Sequence, residues 1–301
     1  MSPPPLPLVV VVGPTASGKS ELALRLAEGS GGEIVNADSV QVYRYFDIGS
    51  AKPSSAELAR VPHHLVDVVE PTAPLDAGQW CALADAAIND IVARGRTPIV
   101  CGGTFLWVKA LLYGLAPAPP ADPAVRERHR QLADADGRAA LHRELEAVDP
   151  ASAARLNPND FVRVSRALEV FELTGRPLSA FQAEHGFSAP RYAARLVGVA
   201  RERDAMDQRI GERTRAMFQA GWVDEVRELL RRGFGDTRPM LSVGYRQIAE
   251  ALKSPAPLEL AELELSVYRA TRVFARRQRT WLRDQPVEWL APGSLEPVDT
   301  L

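Results

Sequence analysis

Residues 13–20 read Gly13-Pro14-Thr15-Ala16-Ser17-Gly18-Lys19-Ser20, preceded by the apolar run Leu8-Val9-Val10-Val11-Val12 and followed by the helical pattern Leu22, Ala23, Leu26, Ala27. A strand, a glycine-rich loop and a helix in that order are the setting of a phosphate-binding P-loop. Unpaired amides at a helix N-terminus, together with the helix dipole, favour negative charge, so this loop is expected to wrap a polyphosphate. Lys19 would reach a bridging or terminal phosphate, and the Ser20 hydroxyl would sit on Mg²⁺.

Outward from that loop, strand-like runs at Leu8 to Val12, Glu33 to Asn36, His64 to Val68 and Thr97 to Cys101 alternate with helical stretches at Ser20 to Glu28 and Gly78 to Arg94. Nearly unbroken apolar strands alternating with helices predict a P-loop NTPase-like α/β fold, a parallel sheet with helices on both faces. Ligands bind such sheets at the carboxyl ends of the strands. Each of those ends is polar here: the P-loop, Asn36-Ala-Asp-Ser39, Asp67 and Gly102-Gly103-Thr104.

The proline-rich segment Ala116 to Pro123 breaks this alternation, and residues 124 to about 185 show only helical periodicity, with cap signals at Asp122-Pro123, Asp149-Pro150 and Asn157-Pro-Asn-Asp160. A strand-like stretch, Arg195 to Ala200, then returns before amphipathic helices over Asp204 to Arg232 and Leu258 to Arg283. The expected organisation is a core of 1–120 and 192–301, ending in a helical part, with an inserted all-helical domain at 121–191.

At 301 residues, 46% apolar and 25% charged, the composition is that of an ordinary globular chain. The longest apolar run is too short to span a bilayer, and the start, Met1-Ser-Pro-Pro-Pro-Leu-Pro, lacks the basic residues of a secretory signal. A cytoplasmic location without membrane association is the expectation. Cys81 and Cys101 have no zinc-like spacing and read as small buried apolar residues. The net charge of −2 does not advertise a nucleic-acid protein, yet Arg269, Arg272, Arg276, Arg277, Arg279 and Arg283 fall in a stretch with no carboxylate. A local basic stripe binds phosphates whatever the total charge.

Asp38, at the end of the second strand, could hold magnesium through water, take a proton from an acceptor, or simply cap the following turn. The Thr104 hydroxyl could donate to a phosphate or cap a helix. Arg163 and Arg166, three apart on a helix, could clamp RNA phosphates, although Glu169 three further on offers Arg166 a surface ion pair instead. Arg209 and Arg213 pose the same question, with Asp207 and Glu212 as competing partners. In Arg276-Arg-Gln-Arg-Thr-Trp-Leu-Arg283 an aromatic and an amide are interleaved among arginines, which suits nucleic acid; a Trp281 packed into the core is the alternative.

Taken together these motifs resemble the tRNA dimethylallyltransferase (tRNA isopentenyltransferase, IPP transferase) family. The matching stretches are the P-loop, Asn36-Ala-Asp-Ser-Val-Gln-Val-Tyr-Arg44, Asp47-Ile-Gly-Ser-Ala-Lys-Pro53, His63-His-Leu-Val-Asp67 and Gly102-Gly-Thr-Phe-Leu106. They continue with Ser165-Arg-Ala-Leu-Glu169, Val243-Gly-Tyr-Arg-Gln247 and the arginine-rich tail, so the resemblance spans roughly residues 8 to 290.

The resemblance implies transfer of a dimethylallyl group from its diphosphate to the exocyclic amine of the adenosine 3′-adjacent to the anticodon, with pyrophosphate leaving and Mg²⁺ as cofactor. It implies a general base at Asp38, with Thr104, Lys19 and Arg213 at the diphosphate end. The partner would be the tRNA anticodon stem-loop, facing Asp38, Ser39, Val40, Gln41, Thr104 and Arg126. Further contacts would come from Val162, Arg163, Val164, Ser165 and Arg166, from Met240, Leu241, Ser242, Val243, Gly244 and Tyr245, and from Arg276, Arg277, Gln278, Arg279, Thr280, Trp281, Leu282 and Arg283. The insertion would close over the anticodon stem, and no protein partner is implied, so a monomer is expected. Ser20 stands where the family commonly has Thr, Trp107 where it has Tyr, and Phe161-Val162 precede Arg163 where Gln is common.

Two other classes share part of this pattern. A small-molecule kinase using ATP would need the P-loop, the sheet and Asp38, but leaves the arginine-rich tail and the insertion unexplained. A nucleotide-gated RNA-binding module would bind tRNA without chemistry.

Overall fold

The computed structural model describes residues 6–294; the ends, including most of the start read against a secretory signal, lie outside them. In chain order the elements are β1 (Pro7–Val12), α1 (Lys19–Ser30), β2 (Glu33–Asn36), α2 (Ser55–Arg60), β3 (His63–His64), α3 (Ala77–Ala93), β4 (Pro98–Gly102) and α4 (Phe105–Tyr113). Then come α5 (Pro123–Asp136), α6 (Arg138–Val148), α7 (Pro150–Ala153), α8 (Phe161–Thr174) and α9 (Leu178–His185). The last group is β5 (Ala193–Val199), α10 (Arg203–Gln219), α11 (Trp222–Arg231), a 3₁₀ turn at Arg238–Leu241, α12 (Tyr245–Lys253), α13 (Leu260–Leu282) and β6 (Val287–Leu290).

The chain forms two compact units, residues 1–112 with 192–301, and residues 113–191. In the first, six parallel strands lie in the order β3-β2-β4-β1-β5-β6. The β-branched run of β1 is buried from Leu8 to Val12, as a central strand covered on both faces requires. Leu22, Leu26 and Ala27 of α1 pack on Val9, Val11, Ile34 and Ile99. The chain leaves β1 for β2 on one side and returns to β5 on the other, which opens a crevice at the carboxyl end of β1. No described helix is long and apolar enough to cross a membrane. Both cysteines are buried and neither is in a disulfide, and burial pushes the Cys101 thiol up to about 11.

Three local expectations change. Of the run His64 to Val68 only His64 is in a strand, β3, because Leu65 and Asp67 take φ of 61° and bend the chain off the sheet. The helix expected over Asp204 to Arg232 breaks into α10 and α11 at Gly221, which takes φ of 95°. The helical unit begins at residue 113 rather than 121, since the proline-rich segment belongs to it: Arg166 Nη2 donates to the Pro119 carbonyl at 2.6 Å.

That unit is built as its caps suggest. Asp122, Asp149 and Asp160 accept backbone N–H groups at the starts of α5, α7 and α8. Leu141, Leu145, Val164, Ala167 and Leu168 form its core. Glu169 is fully buried beside them, where Arg126 (2.9 and 3.0 Å), Arg166 (2.6 Å) and the Asp122 N–H (2.7 Å) donate to it. The Arg166–Glu169 pair is therefore an internal hub, not the surface pair that the spacing suggests.

Candidate active site

The P-loop leaves β1 at Val12, opposite Gly102 of β4. Ala16 and Gly18 have positive φ, 64° and 99°, and this alternation turns successive amides toward one concavity. Side chains from three distant parts of the chain hold the loop. Arg201, just past β5, donates from Nε to the Ser17 carbonyl at 2.7 Å, and Arg209 of α10 to the Ala16 carbonyl at 3.0 Å. Gln278 of α13 accepts the Thr15 N–H at 2.8 Å and donates to the Gly103 carbonyl at 3.0 Å. Sequence reasoning did not single out Arg201, although its place at a strand's carboxyl end was the available signal. It weighed Arg209 against Asp207 and Glu212, but Asp207 pairs with Arg272 and Glu212 accepts from Gln208.

Asp38 follows β2 at the same edge. Its Oδ1 accepts Val40 N at 2.9 Å and Gln41 N at 3.3 Å, the capping half of its two expected roles. Its Oδ2 has no protein hydrogen-bond partner among the described residues, and Asp38 lines two adjoining cavities. Gly102 permits this approach of β2 and β4, since a Cβ there would stand 2.2 Å from the Ala37 oxygen. Thr104 N donates to that oxygen at 3.1 Å, while its Oγ1 accepts Ser39 N at 3.0 Å, so the hydroxyl proton stays available to donate.

Two cavities of about 400 and 320 Å³ meet here, sharing Thr15, Asp38, Ser50, Arg213, Phe274 and Gln278 in their walls. The smaller reaches Lys19 and Ser20; the larger runs between Val40, Ile210, Met217, Trp222 and Leu241. Burial lowers the Lys19 pKa, against the pull of Asp38 and with a further push from Arg213. Burial likewise lowers that of Arg213, opposed by Asp38. Two desolvated cations near one carboxylate leave a net positive end that an anionic ligand neutralises, and an apolar chamber adjoins it.

The loop Asp47 to Pro53 forms a further wall, seated on a carboxylate that sequence reasoning missed. Glu225 of α11 accepts the N–H groups of Asp47 (3.1 Å), Ile48 (2.7 Å) and Gly49 (3.4 Å) and the Tyr245 hydroxyl (2.6 Å). Lys52 donates to Asp47 and Asp67, both at 2.6 Å, and Gln41 Nε2 to the carbonyls of Ser50 and Ala51.

The positions expected to face RNA divide. In the core unit Ser39, Val40, Thr104, Leu241, Ser242 and Val243 line the larger cavity, Gln41 lines the smaller, and Arg276, Arg277, Thr280 and Arg283 are exposed, with Arg279 half-buried. Met240, Tyr245, Gln278 and Leu282 are buried, so their side chains serve packing and loop anchoring, and Gly244 is buried against the Trp222 ring. Trp281, half-buried, stacks on Phe105 with centroids 4.4 Å apart, and Trp107 stacks on Trp80 inside the core. In the helical unit Val162 and Arg163 are exposed, whereas Val164 and Ser165 are buried and Arg126 and Arg166 are engaged by Glu169. On α8 and α13 helical periodicity explains the split, because consecutive residues of a helix cannot share one face.

Among the described residues no cluster of His, Cys, Asp or Glu could hold a metal by itself. Ser20, exposed at the start of α1 and lining the cavity with Lys19, fits Mg²⁺ only as a hydroxyl ligand completed by substrate phosphate oxygens, the arrangement this cation favours.

The family described as IPP transferase matches residues 41–285, and that described as Isopentenyl transferase matches residues 6–68. The tRNA dimethylallyltransferase of Sorangium cellulosum is 63% identical over 290 residues, covering 96% of this chain and 92% of that one. The tRNA dimethylallyltransferase of Geobacter sulfurreducens is 48% identical over 297 residues, covering 98% and 95%. The solved tRNA isopentenylpyrophosphate transferase of Bacillus halodurans superposes with a TM-score of 0.68 at 35% identity, covering 94% of this chain and 89% of that one. A eukaryotic dimethylallyltransferase acting on tRNA shares the fold, with a TM-score of 0.78 at 24% identity over 98% of this chain and 76% of that one. This chain belongs to the IPP transferase family.

Proposed function

We propose that this chain is a tRNA dimethylallyltransferase, which moves a dimethylallyl group from dimethylallyl diphosphate to the N6 amine of the adenosine 3′-adjacent to the tRNA anticodon. The observation that carries this reading is the convergence on one cleft of a P-loop with Lys19 and Arg213, an available Asp38 oxygen and an apolar chamber beside them. The P-loop amides, Lys19 and Arg213 would hold the diphosphate and stabilise the charge that develops as its bond to C1 breaks. The adenine would leave its stack to enter the larger cavity. As the N6–C1 bond forms, Asp38 Oδ2 would take the N6 proton, and the Thr104 hydroxyl would donate to the departing pyrophosphate.

Mg²⁺, held by Ser20 and the diphosphate, would neutralise negative charge on the leaving group. The small-molecule kinase gains no support from the relatives above. Incubating the protein with Mg²⁺, labelled dimethylallyl diphosphate and unmodified tRNA, followed by nucleoside analysis, is the test. Label in N6-prenylated adenosine is the expected result; no label in the RNA overturns the reading.

A further inference from the structure

We infer that Met217 and Trp222 close the far end of the apolar chamber and limit the transferred group to one five-carbon unit. This rests on the transferase reading above. Ile210, Arg213, Thr214 and Met217 stand at i, i+3, i+4 and i+7 of α10, one face of the helix, and all four line the larger cavity. Arg213, the member of that stripe that also lines the smaller cavity with Lys19 and Ser20, marks the diphosphate level. Thr214 donates its hydroxyl to the Ile210 carbonyl at 2.8 Å, so its polar atom is satisfied within the helix and what remains for the chamber is apolar. Met217 lies one turn beyond Arg213, roughly 6 Å along the axis.

A dimethylallyl group spans roughly 4 Å from C1 to its methyl carbons, and a second isoprene unit adds about 5 Å more. On this spacing the first length would fit between the Arg213 and Met217 levels, and a second unit would overrun Met217 toward Trp222, which lines the same cavity. That residue is fixed on three sides. Trp222 is almost fully buried and lies edge-on to Tyr245 and Phe218 at 5.5 and 5.8 Å. A Cβ on Gly49 would come within 2.0 Å of its indole nitrogen. Gly49 and Tyr245 are both tied to Glu225. The indole has nowhere to retreat, so Met217, half-exposed to the cavity and flexible, is the part of this end that a substitution can trim.

Discrimination of this kind is strong because each methylene that does not fit a closed apolar pocket changes the rate by roughly 10- to 200-fold. The test offers equal dimethylallyl and geranyl diphosphates together to the enzyme with unmodified tRNA and reads the ratio of the two prenylated adenosines by mass spectrometry. The wild type is expected to favour the five-carbon donor by more than about 100-fold, and Met217→Ala to lower that ratio at least about tenfold. Met217→Phe, which shortens the chamber, is expected to raise the KM for dimethylallyl diphosphate more than it lowers kcat. Trp222→Leu should relax the ratio further, and the Met217 variants decide the matter should that buried replacement not fold. A wild type that labels tRNA from dimethylallyl diphosphate, with a ratio unchanged in Met217→Ala and a KM unchanged in Met217→Phe, overturns this inference alone. A wild type that labels tRNA from neither donor overturns the transferase reading beneath it.

Discussion

Gln278 holds Thr15: its Oε1 accepts the P-loop N–H at 2.8 Å, while the same carboxamide donates from Nε2 to the Gly103 carbonyl at 3.0 Å. One buried side chain of α13 thereby couples the loops that follow β1 and β4. Gln278→Leu leaves both backbone groups without their partner, at a cost of about 1–3 kcal/mol for each group that stays unsatisfied. A lower melting temperature is expected, together with a KM for the diphosphate donor that rises by a larger factor than the Kd for tRNA does. Equal effects on the two substrates would instead mark Gln278 as a general packing residue.

Asp38→Asn keeps an oxygen for the Val40 and Gln41 amides and so preserves the turn, while removing the base. Prenyl transfer is expected to fall about 10²- to 10⁴-fold, the usual worth of a positioned general base. The melting temperature and tRNA affinity should stay near those of the wild type. Single-turnover rates with saturating substrates check this, and an unchanged rate removes Asp38 from proton transfer.

Arg277 is exposed on α13, away from the buried face that carries Gln278. Arg277→Ala is expected to weaken tRNA binding uniformly across tRNA sequences and to reduce the slope of log K against log salt by about 0.7–0.9, the release of one phosphate's counterions. Binding titrations at several salt concentrations measure the slope. An unaltered slope makes Arg277 a solvated surface residue.

Glu33, buried at the start of β2, receives two hydrogen bonds from Arg94 and one from His64, and these hold its carboxyl down at about 2. Its folded pKa lies below the ordinary 4.5, so the stability it contributes is complete above that value and is lost as pH falls through about 2. Arg94→Ala removes the main cause and should move that loss upward, toward pH 4.5 and beyond. Thermal melts between pH 7 and pH 2 test this; coincident profiles for wild type and variant would refute it.

Local sequence settled what depends on local physics. The β-branched run at Leu8 to Val12, the glycine-rich loop and the following helical period made the P-loop legible, and Asp122, Asp149 and Asp160 announced the helix starts that they cap. The family motifs marked Asp38 and Thr104, and the resemblance implied Arg213; the fold brings all three to one cleft. The direction of neighbouring side chains could not be read from a motif, because the string that carries Arg276 and Arg277 outward also carries Gln278 and Leu282 inward on the same helix.

Tertiary structure alone decided the partners that lie far apart in sequence. Arg201 and Arg209 reach the P-loop carbonyls across more than 180 residues, Glu225 gathers amides of a loop more than 170 residues earlier, and Gln278 meets Thr15 across 263. Such contacts leave no periodic trace in sequence, since a hydrogen bond needs only that two elements be packed side by side. That adjacency follows from the strand order β4-β1-β5, set by burying both faces of β1 rather than by any residue of the loops themselves.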